Sequence, residues 1–380
     1  MTAKESHKVS LMKRNKIVHI VPTLELGGVQ TGILYSLEEM NRDFDYKVFV
    51  IGKADAEWLA HLSPGLRNRI IYGGKTSVWT GWFRTYRNLK KLEPDLIISS
   101  LWKSVWLSVI YRLLNPKVKL AGFFHSPSTP HFVSTFFMKI LSWVQDTSFA
   151  DSYATQQFLK KFYRIKNSHI IPFVFTFPVS TRPRDFDPTL VRMAYFGRLS
   201  ERKGVDRTLE FCRLLKKEGV HFRYDLFGDG PLEDYNQKIR SLGLESEVTI
   251  SKSLPIHLVT QKMACYDFLL QLSDFEGMAL AVVEAMNCGL VPIVTPVGEI
   301  RRYSKDGINA IWLEGHFDRD LESLVPKVKA VIEDRDLYKK YAAAAAVTFL
   351  HDKKYNEVLT ETLTHYLKGT GQEGPAVPLA

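Results

Sequence analysis

Short apolar runs alternate with amphipathic stretches along this chain, stop at a proline-rich break, and then begin again. No other feature constrains the fold as tightly. "KIVHIVP" (16–22), "YKVFVIG" (46–52), "RIIYG" (69–73), "LIISS" (96–100) and "KLAGFF" (119–124) read as strands, with helical periodicity around 29–41, 80–92, 102–114 and 131–146. Strand-length runs separated by helix-length stretches need crossover connections, and these impose parallel sheets flanked by helices. The rhythm fails at "PFVFTFPVSTRPRDFDP" (172–188), where four prolines leave no helical period. It resumes with "RMAYFGR" (192–198), "RYDLFGD" (223–229), "VTIS" (248–251), "DFLLQL" (267–272) and "VPIVT" (291–295), and residues 318–367 read as helices. A chain of 380 residues exceeds what one core ordinarily covers. The expectation is therefore an α/β protein of two doubly wound domains, 1–175 and 190–345, facing across a cleft. A disordered tail is expected over 369–380.

Charge is unevenly spread. Residues 1–180 hold 24 Lys/Arg against 12 Asp/Glu, whereas the remainder holds 27 against 29. Such asymmetry suits a nucleic-acid or anionic-membrane surface on the first half, or simply a soluble basic domain. The cysteines Cys212, Cys265 and Cys288 form no C-x-x-C or Cys/His cluster, and their apolar settings suggest buried, reduced thiols. No run approaches the ~18 apolar residues needed to span a bilayer. The N-terminus is too basic and too poor in apolar residues for a signal peptide. The chain reads as cytoplasmic.

Ligands of open α/β sheets bind at the carboxyl ends of the strands, and four segments there carry chemistry. Gly27-Gly28 opens a helix after the first strand. It suits either close approach of amides to an anion or a tight turn with positive φ. It is no G-x-G-x-x-G fingerprint, and no P-loop occurs anywhere. Arg198 and Lys203 bracket a turn in "FGRLSERKG", where two cations can converge on a diphosphate or form a solvated basic loop. "FGDGPLED" (227–234) reads as a turn and helix start. In "SDFEGMALAVVEAMNCG" (273–289), Glu276 falls in a turn and Glu284 about a turn and a half into a helix, too far apart to pair directly.

Taken in order, "HIVPTLELGGVQ", "GRLSERKGVD" and "SDFEGMALAVVEAMNCGLVPIVT" resemble the retaining glycosyltransferases of the GT-B fold, family 4, whose two domains are Rossmann-like. The resemblance extends over most of the chain. It implies a nucleotide-sugar in the cleft, with the first domain taking the acceptor and a helix over 346–368 packing back on that domain. Arg198 and Lys203 match the diphosphate-binding pair, and Gly28 the loop whose amides approach the phosphate. Glu284 matches the carboxylate that holds the ribose, and Glu276 the one that contacts the donor sugar. Amides of Gly277, Met278, Ala279 and Leu280 match those touching sugar hydroxyls and phosphate, and His125 matches a histidine lining the reaction centre. The family often has Gly-Phe-Gly where this chain has Gly277-Met278-Ala279. Its later Gly-Gly is only Val297-Gly298, so no role passes to Glu299. Transfer by such enzymes proceeds at one face of the sugar, the leaving phosphate taking the acceptor proton, with neither a metal nor another cofactor implied.

The resemblance thus implies a hexose or N-acetylhexosamine donor, UDP-linked by preference, with GDP-mannose second. The acceptor is a glycan or lipid-linked molecule in surface polysaccharide, lipopolysaccharide or glycolipid synthesis. Loops near "ISKSLP" (250–255) would distinguish the base. Aromatic and basic residues mix in 76–94 and 158–167, which read as basic amphipathic helices suited to the anionic inner face of a membrane, or as a solvated face over a core. Nucleotide-sugar epimerases and phosphorylases use the same scaffold, but a phosphorylase would be longer and carry a pyridoxal lysine. A basic nucleic-acid-binding protein lacks support, since no helix-turn-helix, zinc-finger or RNP signature occurs and the C-terminal motifs would go unexplained. No nucleic-acid partner is expected.

Overall fold

The computed structural model describes residues 14–25, 27–54, 56–72, 78–128, 132–175, 186–317 and 319–368; the expected tail over 369–380 lies outside them. The apolar runs of the first half form β1 (Lys16–Val21), β2 (Asp45–Val50), β3 (Ile70–Tyr72), β4 (Leu96–Ser100) and β5 (Lys119–Phe124), joined by β6 (Thr147–Ala150) and β7 (Ser168–Ile170). Those of the second half form β8 (Val191–Phe196), β9 (Phe222–Phe227), β10 (Val248–Ser251), β11 (Phe268–Gln271), β12 (Val291–Val294) and β13 (Ile311–Trp312). Every pairing is parallel, in the orders β3-β2-β1-β4-β5-β6-β7 and β10-β9-β8-β11-β12-β13. Helices cover both faces of each sheet, so the central strands are buried on both sides and read as unbroken apolar runs. Three short strands escape the sequence reading. β6 is "TSFA", too polar to stand out, and the edge strands β7 and β13 have three and two residues.

Strand order reverses between β1 and β4 in one sheet and between β8 and β11 in the other. Such a switch point opens a crevice at the carboxyl ends, because successive crossover helices leave on opposite faces. The two crevices face each other.

Around the proline-rich break, Phe173, Val174 and Phe175 are buried on the first-domain side, and Phe186 stacks on Tyr338 of the second, ring centroids 3.9 Å apart. In place of one helix over 346–368, the structure has a helix Arg335–Val347, a turn, and a helix Tyr355–Lys368. Tyr355 anchors the crossing. Its amide donates to the Val174 carbonyl at 2.8 Å, and its ring packs against Phe173 and Phe175. The last helix then lies on the first-domain helix Gly28–Asp43, with the Thr360 hydroxyl 3.5 Å from the Met40 sulfur.

Two expectations need correction. Cys212 is buried and Cys288 half-buried, but Cys265 is exposed, because the short turn between a helix ending at Met263 and β11 sits on the surface. Residues 158–167 are not one amphipathic helix. A helix Tyr153–Phe158 widens into a π turn, Leu159–Tyr163, and ends at Arg164 with φ 57°. Among the described residues, no helix is long and apolar enough to cross a membrane.

Candidate functional site

A cavity of about 580 Å³ lies between the two sets of strand ends. All ten candidate residues line it: Gly28, His125, Arg198, Lys203, Glu276, Gly277, Met278, Ala279, Leu280 and Glu284.

The second-domain wall is built from the loops after β8 and β11. Lys203 sits in a single 3-10 turn, Glu201–Lys203, and its ammonium lies 2.8 and 2.7 Å from the two carboxylate oxygens of Glu276. Gln271 and Ser273 donate to the same Glu276 oxygen at 2.6 and 2.7 Å. Three neighbours thus pin a carboxylate that is only 5% exposed. The structure therefore joins two residues with separate sequence-stated duties into one ion pair. Arg198 is exposed, and its guanidinium has no hydrogen-bond or ion-pair partner among the described residues. Asp274 to Ala279 is braced from behind: Tyr303 donates to the Met278 carbonyl at 3.1 Å, and the Glu299 amide to the Gly277 carbonyl at 3.0 Å. Gly298 needs its φ of 57°, and a Cβ there would fall 2.1 Å from the Glu276 carbonyl oxygen.

Among the helices that start at the cavity are Gly28–Asp43 from the first domain and Leu280–Asn287 from the second. Neither has a side-chain cap or an acidic residue in its first turn. Free first-turn amides and the positive ends of two helix dipoles converge there with Arg198, Arg202 and Lys203. Such an arrangement binds anions. Gly27 has φ 172°, extended backbone open to any residue, so positive φ does not explain the Gly27-Gly28 pair. Glu284 is buried on the second helix without an ion-pair partner among the described residues, and burial pushes its pKa up to about 8. Glu284 is thus protonated at neutral pH, able to donate as well as accept.

On the first-domain wall, His19 of β1 is wholly buried, so both of its ring nitrogens need partners. Tyr46 of β2 lies 2.7 Å from Nδ1, and Ser100 at the end of β4 lies 2.7 Å from Nε2. The Ser100 hydroxyl also meets Nε2 of His125 at 3.0 Å, completing a line Tyr46–His19–Ser100–His125. Burial, then the neighbouring His19, holds the His125 pKa well below the usual imidazole value. His125 is therefore neutral, and its Nδ1 is buried without a partner among the described residues.

The domains touch beside the cavity. Glu299, fully buried, accepts from the Ala154 amide at 2.6 Å, capping a first-domain helix from the second domain. Arg302 lies 4.2 Å above the Tyr153 ring. Burial, opposed by hydrogen bonds from Thr155 and Ser152, raises the Asp151 pKa to about 6. A Cβ on Gly277 would lie 2.9 Å from an Asp151 carboxylate oxygen and 3.3 Å from the His125 carbonyl, so any larger residue would have to displace the Asp151 carboxylate. Sequence reasoning did not find Gln271, Ser273, His19, Ser100, Asp151 or Glu299. The one available signal was His19, a polar residue inside an otherwise unbroken apolar strand.

Comparisons with known proteins agree with this architecture. Residues 182–348 match the family described as Glycosyl transferases group 1, and residues 26–173 that described as Glycosyltransferase Family 4. The chain is 35% identical over 126 residues to the putative colanic acid biosynthesis glycosyltransferase WcaL of Escherichia coli (strain K12), a stretch covering 30% of each chain. It is 30% identical over 169 residues, 43% of each chain, to the GDP-mannose:cellobiosyl-diphosphopolyprenol alpha-mannosyltransferase of Xanthomonas oryzae pv. oryzae (strain PXO99A). The matched stretches thus span less than half the length of these two relatives. Among solved structures, Anabaena Alr3699/HepE in complex with UDP and glucose superposes with a TM-score of 0.74 at 19% identity, over 92% of this chain and 99% of that one. The fold is the GT-B fold, and each domain is related to glycosyltransferases.

Proposed function

We propose that this chain, built from the two domains of a GT-B glycosyltransferase, moves a hexose or N-acetylhexosamine from a nucleoside-diphosphate sugar to a glycan or lipid-linked acceptor, with retention of configuration. The convergence of two uncapped helix starts with Arg198, Arg202 and Lys203 carries this reading. Such a site stabilises a departing diphosphate. In the proposed reaction the bond from the anomeric carbon to phosphate oxygen breaks. The acceptor oxygen bonds to the same face, and its proton passes to the leaving phosphate. Arg198 and the amides of Gly28 and Gly277 through Leu280 hold the diphosphate, and Lys203 divides its charge between it and Glu276. Glu276, pinned by Gln271 and Ser273, orients the sugar. Protonated Glu284 accepts from one ribose hydroxyl and donates to the other. His125 offers its unpartnered Nδ1 to the sugar as a neutral hydrogen-bonding group.

Leu254 and Ile256, which also line the cavity, give the base an apolar seat. UDP-sugars and GDP-mannose are both candidates. The relative named for GDP-mannose supports the second, and the structural neighbour bound to UDP and glucose supports the first. Surface polysaccharide, lipopolysaccharide or glycolipid synthesis is the proposed setting, because relatives named for colanic acid and diphosphopolyprenol chemistry share sequence with the chain. The test is release of nucleoside diphosphate from a panel of nucleotide-sugars, with and without a lipid extract as acceptor, in the presence of a chelator. Release from at least one donor is expected to persist under chelation, because arginine, lysine and amides carry the charge stabilisation. No release from any donor, with acceptor and without chelator, would overturn the transferase reading.

A further inference from the structure

The helix Phe132–Val144 reads "FVSTFFMKILSWV", and a helix so apolar on every side ordinarily lies inside a protein. Here only Ser134 and Leu141 are buried. Phe132 is 83% exposed, Trp143 71% and Phe136 52%. The patch continues onto the neighbouring helix Trp102–Leu114, where half-exposed Trp106 packs against Phe137 with ring centroids 6.3 Å apart. A contiguous exposed aromatic surface of this kind marks an interaction site.

Beside Trp143 lies a second cavity, about 800 Å³, between the end of this helix and the π turn Leu159–Tyr163. Lys139, Arg164 and Lys166 line it, and none has a carboxylate partner among the described residues. Asp146, the acidic group in its wall, is already taken by Arg112 and by the Leu120 amide. On two of its lining residues the Tyr163 hydroxyl and the Gln145 side-chain oxygen are buried without partners among the described residues. Trp143 and half-exposed Phe162 flank the opening. Tyr163 also lines the cleft, so the two cavities share a wall.

We infer that this face docks on an anionic phospholipid bilayer, with the second cavity receiving a phosphate headgroup. Phe132, Phe136 and Trp143 enter the interfacial layer, where amphipathic aromatic rings are most stable, while Lys139, Arg164 and Lys166 meet the phosphates. The excess of Lys/Arg over Asp/Glu in residues 1–180 complements the charge of such a surface. Attachment is by adsorption and does not depend on the transfer reaction.

Co-sedimentation tests the inference, using vesicles of phosphatidylglycerol with phosphatidylcholine against phosphatidylcholine alone at low salt. The wild type is expected to bind the anionic vesicles preferentially. The triple variant K139E/R164E/K166E should lose at least about a hundredfold in partitioning, from three near-surface cations. Phe136→Ser with Trp143→Ser should weaken binding to both vesicle types. Circular dichroism and a nucleotide-sugar thermal shift show whether each variant is folded. Should a variant misfold, quenching of wild-type tryptophan emission by brominated lipid in the anionic vesicles provides the reading without substitution. Equal binding to both vesicle types, undiminished binding by the folded triple variant, or no quenching overturns the inference. Donor turnover without vesicles should be unchanged in all variants, which separates failure of docking from failure of the transferase reading.

Discussion

The two walls of the cleft have the same topology and opposite chemistry. In each sheet the central strand beyond the switch point, β4 or β11, leads into a helix whose first residue follows a strained position. Leu101 has φ 67° and Ala279 φ 56°, both rare for residues bearing a side chain, and both line the cavity. Such strain costs on the order of 1–3 kcal/mol and gathers where the fold must aim a backbone at a ligand. The first-domain wall adds no cation: it carries the neutral Tyr46–His19–Ser100–His125 line, aromatic rings and the Asp151 carboxyl, whose pKa burial raises to about 6. Charge lies on the second-domain wall, with Arg198, Arg202 and the Lys203–Glu276 pair. Side-chain cations come from one wall alone, whereas the other contributes the helix start at Gly28 and side chains that bring no positive charge.

Removing charge from the second wall should have the largest effect. Arg198→Ala and Lys203→Ala are each expected to lower kcat by about 10²–10³-fold. Lys203→Ala should also lower thermal stability, because Glu276 would remain buried without its cation. A tenfold or smaller loss of kcat in both variants would break the contrast between the walls. Glu284→Ala comes next, with donor affinity falling about 10–100-fold by calorimetry and kcat changing much less. Unaltered affinity would remove Glu284 from the ribose. On the first wall, Ser100→Ala cuts the bridge between the two histidines and should reduce kcat about tenfold through misorientation, leaving donor affinity unchanged. A loss as large as that of Arg198→Ala would show the first wall to be as important as the second.

The Glu284 carboxyl offers a pH test. Its folded pKa, about 8, lies above the ordinary 4.5, so the folded protein holds this proton more tightly than the unfolded chain. Its contribution to stability is present at low pH and is lost as pH rises from about 4.5 to about 8, at up to ~1.4 kcal/mol per pH unit. Over that interval the unliganded wild type should lose thermal stability relative to Glu284→Gln, and the difference should level off above pH 8. Parallel melting curves across the range would place the titration elsewhere. The smallest expected effect is that of Ala279→Gly. Relief of left-handed strain outweighs the added chain entropy, giving about 0.5 kcal/mol of extra stability in denaturant melts.

Local periodicity carries much of this picture. Each of the ten expected strands lies within a residue or two of its place, because an apolar run bounded by turns has few other ways to bury itself between helix layers. Arg198, Lys203, Glu276 and Glu284 were accessible because a strand-turn-helix unit at a switch point delivers its turn to the cleft. The failures are equally physical. Cys265 was expected to be buried, yet it lies exposed in a surface turn, because burial is decided by neighbours that periodicity does not name.

What the sequence by itself determined is the two-sheet architecture, the break between the halves, and the loops that reach the cleft. These depend on interactions within about 40 residues of chain, where propensity, pattern and turn chemistry agree. The tertiary structure alone decided which groups meet across that cleft. His125 is neutral because burial, and then His19, 106 residues away, disfavour its charged form. Glu276 is an ion-pair partner because Lys203, 73 residues earlier, reaches it, and Glu299 caps a helix that begins 146 residues before it. Hydrogen bonds and desolvation act over a few ångströms of space, whatever the separation along the chain.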